Sequence, residues 1–436
     1  MNKRGIWLCL IALLGCSLGP PLQAGDLRAG VARVAVTPAA DEFPYANKGD
    51  HDFVGVHDPV YARAMLLDDG QRQVAIVLIE VTKIPAPVEL KASIAKELHV
   101  PEANVMLAAT HTHIVPLFSF HSDTPSAAEA REIERLNSGA LQAVRQAHSQ
   151  MQPARIAFAR GEGWINVNNG ERTGAKSPDP RGPSDKTLDV VRVDSVGGRP
   201  IALLVNYASH AEVMFRSITK DGGFEVSGDL PGAVSAILES QPAAAPVVLY
   251  TAAAEADQLT IFKSLQPPGR LPSADEGAGG WALLDVQARR LAGSVMDLVA
   301  AMPPGVAQVH IEANAGAATC PGQRLRVDPN SGAVSTEARP PVEIPLNVLK
   351  VNDIVLAGVG GDVGSEIGMA FKAASPLPHT TLITMTAGAV GYILADASYE
   401  HPGHGVMGSP LQPHCAQQAV TEGLVRLIET KAPGAK

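Results

Sequence analysis

Strand-length apolar runs recur along the whole chain, and no other feature restricts the fold as much. They lie at residues 74–81, 105–109, 190–194, 201–207, 247–250, 354–359 and 381–385. Runs this short, bounded by turn residues, read as buried strands rather than helices. Between them come segments with helical spacing, at 127–152, 231–239, 282–302, 363–373 and 416–430. Asp229-Leu230-Pro231 starts one of these with an N-cap residue and a proline in the first turn. Strands alternating with helices predict an α/β protein, with mixed β-sheets flanked by helices. The stretches 162–186, 263–280 and 320–345 are polar and loop-like, but similar strands resume after each. One large domain over residues 25–436 is therefore expected.

The first 24 residues read differently. Lys3 and Arg4 precede an apolar stretch at 6–18 that is too short to span a bilayer, and Pro20 and Pro21 end it. Leu22-Gln23-Ala24 reads as a cleavage site before Gly25, which predicts a signal peptide over residues 1–24 and a periplasmic or secreted protein. Lipid attachment at Cys16 is the rival reading. Behind the leader only Cys320 and Cys415 remain. In an oxidising compartment they make either a disulfide or two separate buried thiols. The chain is 46% hydrophobic over 436 residues, ample for a large core. Its net charge of −9 and lack of a basic cluster argue against a nucleic-acid partner.

Chemistry collects at the ends of the strand runs, where ligands of α/β proteins bind. Glu80 ends the first run; His111 and His113 follow the second; His210 follows 201–207. Ala254-Glu255-Ala256-Asp257 follows 247–250, Asp362 follows 354–359, and Tyr392 follows 381–385. Singly these are weak signals. A lone histidine after a strand is usually structural, and Asp362 before a helix would serve as an N-cap. Jointly they suggest a metal site at the C-terminal ends of the strands. The extended His111-Thr112-His113 segment puts both rings on one face, and neutral imidazoles with a carboxylate favour Zn²⁺ over Mg²⁺ or Ca²⁺.

Six ordered motifs carry a resemblance. They are VGVHDPVYARAMLLDDG (54–70), ATHTHIVP (109–116), NYASHAEVM (206–214), SGDLPG (227–232), GVGGDVGSEIG (358–368) and VGYILADASYE (390–400). In this order they resemble the N-terminal catalytic domain of the neutral/alkaline non-lysosomal ceramidases. The chain is read as a divergent member without that family's C-terminal immunoglobulin-like domain. The resemblance implies a zinc ion held by His111, His210, Asp362 and Tyr392. It places His113 beside the metal as a catalytic group that binds the substrate carbonyl or passes a proton.

Several positions depart from the family pattern. Asp362 stands where the family has Glu, and Glu366, one turn on, is the alternative acidic ligand. The family's hydrolytic Ser falls within Gln258-Leu259. Its Arg falls at Asn169, with Arg172 nearby, and a late Tyr is replaced by His404. His404 would then stabilise the oxyanion, and Asp257 would orient a metal-bound histidine or merely cap a loop. The expected activity is zinc-dependent hydrolysis of a linear, ceramide-like N-acyl amide by metal-activated water. The partner is then a small-molecule or lipid amide, and a lipid substrate implies peripheral contact with a membrane. The alternative is a degenerate member that binds metal or a lipid-like ligand without turnover.

Overall fold

The computed structural model describes residues 25–47, 50–116, 124–170, 178–219, 222–241, 246–263, 277–327, 334–400 and 403–431. The expected leader at 1–24, with Cys16, and Arg172 lie outside them. Eight strands form the main sheet, in the order Val247–Ala252, Pro200–Tyr207, Thr187–Ser195, Gln152–Glu162, Arg28–Ala35, Tyr61–Asp68, Gln73–Ile79, Val105–Ala109. The outermost pair at each edge is parallel and the pairs between are antiparallel. A second sheet holds Ile311–Val327, Val334–Val351, Ile354–Val359 and His379–Ile383.

The apolar runs are explained by what covers them. Along Gln73–Ile79 the side chains alternate between two cores. Val74, Ile76 and Leu78 pack toward the second sheet, with Leu349, Val351, Ile354 and Leu356. Ala75, Val77 and Ile79 pack against helices, with Leu90, Ile94, Leu136 and Val144. The far face of the second sheet gives Val348, Val355 and Ala357 to a third core with Ile367, Phe371, Val420 and Leu424. The layers therefore run helix, sheet, sheet, helix. A strand covered on both faces has no polar alternation to show. This is the mixed α/β architecture expected from the sequence.

The expected loop at 320–345 is corrected. It belongs to the two longest strands, Ile311–Val327 and Val334–Val351, which pair antiparallel from Ile311↔Val351 out to Val327↔Val334. The start of the second strand is exposed and carries Pro340 and Pro341. A ribbon in solvent needs no apolar side chains, so it reads as loop. Within the expected loop 162–186, the short strand Asn166–Asn168 pairs with Gln258–Thr260. The helix Pro87–Leu98 was not read from the sequence. The helix Ala127–Ser149 starts with a capping box in which Ser126 and Glu129 bond each other's backbone.

One feature of the sheet positions everything that follows. Its two edge strands, Val105–Ala109 and Val247–Ala252, would lie far apart in a flat sheet. Here both bond the same segment of chain. Ala387 donates its N–H to the Leu107 carbonyl at 2.8 Å, and Thr384 donates to the Ala252 carbonyl at 2.9 Å. The C-terminal ends of both edges thus open into one place, which the loop after Ile354–Val359 also reaches.

Candidate metal centre

His111 and His113 follow one sheet edge, His210 follows the strand next to the other edge, and Asp362 follows Ile354–Val359. The structure brings them together. Asp362 Oδ2 lies 3.6 Å from His111 Nε2 and 3.6 Å from His210 Nε2. The nitrogens of His111, His113 and His210 come within 4.8 Å of one another. Their ring centroids are 4.7 to 5.2 Å apart, edge to face. Asp362 makes these contacts; Glu366 sits in the first turn of the helix Ser365–Ala374.

Backbone carbonyls aim the two imidazoles. His111 Nδ1 bonds the Thr82 carbonyl at 2.7 Å, and His210 Nδ1 bonds the Glu255 carbonyl at 2.9 Å. With the Nδ1 proton placed there, each ring turns an Nε2 lone pair toward Asp362. His111 reaches this pose from a left-handed backbone, φ +63°, so the segment His111-Thr112-His113 is not extended as expected from the sequence. That conformation costs a non-glycine residue on the order of 1 kcal/mol or more and persists where the surroundings enforce it.

Both oxygens of Asp362 are buried without a hydrogen-bond donor among the described residues. Such a carboxylate is costly unless a cation lies against it. Donors held 2.0–2.2 Å from one tetrahedral ion are roughly 3.3–3.6 Å apart. The measured 3.6 Å separations match that spacing, so the donor set fits Zn²⁺. Tyr392 stands directly across a parallel ladder from Asp362, which puts both on one side of that ribbon. The Tyr392 ring meets His404 at 5.8 Å between centroids.

His113 lies edge-on to Phe215 at 5.4 Å. Burial, then the charge that His111 and His210 carry when protonated, push its pKa well below the usual histidine value. The remaining predicted residues do other work. Asp257 gives Oδ1 to the Ser365 N–H and Oδ2 to the Ser365 hydroxyl and Asn168, each within about 3.1 Å. It starts the helix Ser365–Ala374 and orients no histidine, so of its two expected roles the capping one is observed. Glu80 is taken by Arg63 Nε at 2.9 Å and by the Tyr61 N–H. Gln258, in the Gln258-Leu259 pair where the family has its serine, is buried and bonded to Ser184, Ser365 and the Pro183 carbonyl.

Two participants escaped the sequence reading. Thr82 and Glu255 contribute through main-chain carbonyls, which leave no trace in residue type. The Glu255 side chain is also buried, with the Ser209 backbone N–H facing its carboxyl. Burial, then the Asp362 carboxylate, push its pKa well above the usual glutamate value.

Comparison with known proteins decides the family. Residues 28–249, half of the chain, match the model for neutral/alkaline non-lysosomal ceramidase, N-terminal. The chain belongs to the neutral/alkaline non-lysosomal ceramidase family. It is 28% identical over 204 residues to neutral ceramidase B of Dictyostelium discoideum, a match covering 43% of this chain and 28% of that protein. It is 25% identical over 200 residues to the neutral ceramidase of Pseudomonas aeruginosa, covering 42% and 30%. The aligned part thus spans under a third of those ceramidases. A crystal structure of neutral ceramidase from Pseudomonas aeruginosa shares the fold, with a TM-score of 0.70 at 15% identity over 94% of this chain and 76% of that one.

Proposed function

We propose that this ceramidase-family chain hydrolyses a linear N-acyl amide with the help of one zinc ion held by His111, His210, Asp362 and Tyr392. The observation that carries the reading is the Asp362 oxygen set 3.6 Å from two imidazoles whose other nitrogens are pinned to carbonyls. When bound, Zn²⁺ supplies a Lewis acid that polarises a carbonyl and lowers the pKa of water. The names of the two relatives compared above, both neutral ceramidases, support a lipid amide as the substrate class. The leader at residues 1–24 would deliver the domain to the periplasm or outside the cell.

The residues' own work follows from their surroundings. His113, held neutral, serves better as a hydrogen-bond donor to the substrate carbonyl than as a standing acid. Its unprotonated ring nitrogen would take up the proton given up by the attacking water and pass it to the leaving nitrogen as the C–N bond breaks. His404, at the rim beside Tyr392, stabilises negative charge on the carbonyl oxygen. Phe215 and the buried setting exclude water around His113, which strengthens each of these contacts.

A second reading has its own support. Gln258 and Asn169 replace two groups that the family resemblance assigns to hydrolysis, and Gln258 is locked in a structural network. A chain that binds a lipid-like ligand without turnover would look the same. One experiment separates the two: purified protein with a panel of N-acyl amides and matched esters, before and after chelation. We expect turnover of an amide, lost on chelation and restored by zinc, and ceramide cleaved at least 10²-fold more slowly than the best substrate, since one lost oxyanion donor costs roughly 10²–10³ in rate. Zinc binding with no turnover across the panel would favour the second reading. Efficient ceramide cleavage would show that the replaced Ser and Arg are dispensable.

A further inference from the structure

The tetrapeptide Ala254-Glu255-Ala256-Asp257 offers two carboxylates at a strand end. Sequence reasoning chose Asp257, which the helix Ser365–Ala374 consumes. Glu255 has the more telling position, because its neighbours tie it to both ligand-bearing loops. Its own carbonyl bonds His210 Nδ1 at 2.9 Å. On its other side, Ala256 donates its N–H to the Val363 carbonyl at 3.0 Å, one residue beyond Asp362. Ser365 closes the same lacing by donating to Asp257 at 2.8 Å. Ala254 packs so closely on that helix that a Cβ at Gly368 would come within 2.4 Å of the Ala254 Cβ. The Glu255 backbone is therefore fixed between the loops that carry His210 and Asp362.

Its side chain is fully buried; the Ser209 backbone N–H faces its carboxyl, and neither oxygen makes a second hydrogen bond among the described residues. Ser209 Oγ, on the residue before His210, is also buried without a partner among the described residues. Asp362 completes the set with two orphaned oxygens. Two buried carboxyl groups packed beside one another repel unless a cation sits with them. Two imidazoles, one aspartate and a neutral Tyr392 phenol leave a divalent ion with one uncompensated positive charge in a low-dielectric interior. A second carboxylate cancels it.

We propose that Glu255 is the second carboxylate of the metal centre, a positioning residue whose charge balances the bound divalent cation and raises the protein's affinity for it. This rests on the zinc-centre reading above. The family resemblance assigns no role to this position. The charge acts on the ion from beside the ligand set, directly or across one water, in the way that outer carboxylates tune metal sites.

The isosteric Glu255→Gln variant of the full chain tests it, read by zinc affinity in competition with a chromogenic chelator and by melting with and without zinc. His111→Ala serves as the control for the centre itself. Outer-shell losses typically weaken metal binding 10–100-fold. We expect that loss for Glu255→Gln, with a smaller zinc-induced rise in melting temperature, while the metal-free protein melts no lower than the unaltered chain. Unchanged zinc affinity in Glu255→Gln, with zinc lost in His111→Ala, would overturn the role of Glu255 and leave the centre standing. Zinc retained by both variants would overturn the centre and this inference with it. A lower metal-free melting point with unchanged affinity would mean that Glu255 is only structural.

Discussion

Replacing His113 with alanine is expected to leave the zinc content near one ion per chain and to reduce turnover at least 10²–10³-fold, whereas His111→Ala loses both. The two histidines are one residue apart, yet their surroundings differ. His111 is buried in a strained backbone with Nδ1 on the Thr82 carbonyl and Nε2 toward Asp362. His113 buries both ring nitrogens while the rest of the residue is partly exposed, and it packs edge-on to Phe215. A ligand contributes to affinity and a carbonyl-binding group to the rate. Removing one oxyanion-type donor costs roughly 3–4 kcal/mol of transition-state stabilisation. Metal analysis beside a rate assay on both variants checks the division. Equal metal loss in the two would mean that His113 is itself a ligand, as the proximity of all three imidazoles would permit.

The largest expected effect on stability comes from the Cys320–Cys415 disulfide. Of the two states left open by the sequence, the structure has the bonded one, with Cα atoms 5.7 Å apart and the cysteines 95 positions apart in the chain. It joins the strand Ile311–Val327 to the N-cap of the helix Ala416–Glu429, so it ties a helix to the sheet whose loops carry Asp362 and Tyr392. Closing a loop of this length stabilises the native state by roughly 4–5 kcal/mol if the effect lies in unfolded-chain entropy. Denaturant titration of the oxidised and reduced proteins, and of a Cys320→Ala/Cys415→Ala chain, should show midpoints displaced by about that free energy. Coincident midpoints would show that the reduced chain keeps the same restraint by packing alone.

How much of this could be read beforehand depended on burial. The strands at 74–81 and 354–359 were legible because both faces are covered, and uniform apolarity is their signature. The ribbon around Pro340 was not, because its exposed residues follow no hydrophobic pattern. His111, His113, His210, Asp362 and Tyr392 were legible as strand-end residues and as family motifs. Their meeting was not, since it requires both edges of the eight-stranded sheet to converge on residues 384–387. The choice between Asp257 and Glu255 turned on which carboxylate the helix at Ser365 would take, a matter of packing that spacing does not encode. Thr82 acts through a carbonyl that any residue would supply.

One metal ion is expected where His111, His210 and Asp362 converge, with Tyr392 across the ladder from Asp362 as the fourth ligand. Anomalous diffraction on crystals of the zinc-loaded protein, recorded above and below the zinc edge, tests it most directly. The account predicts one strong zinc peak, about 2.0–2.2 Å from His111 Nε2, His210 Nε2 and a carboxylate oxygen of Asp362. No peak in that position, or a peak elsewhere with Asp362 still bare, would contradict it.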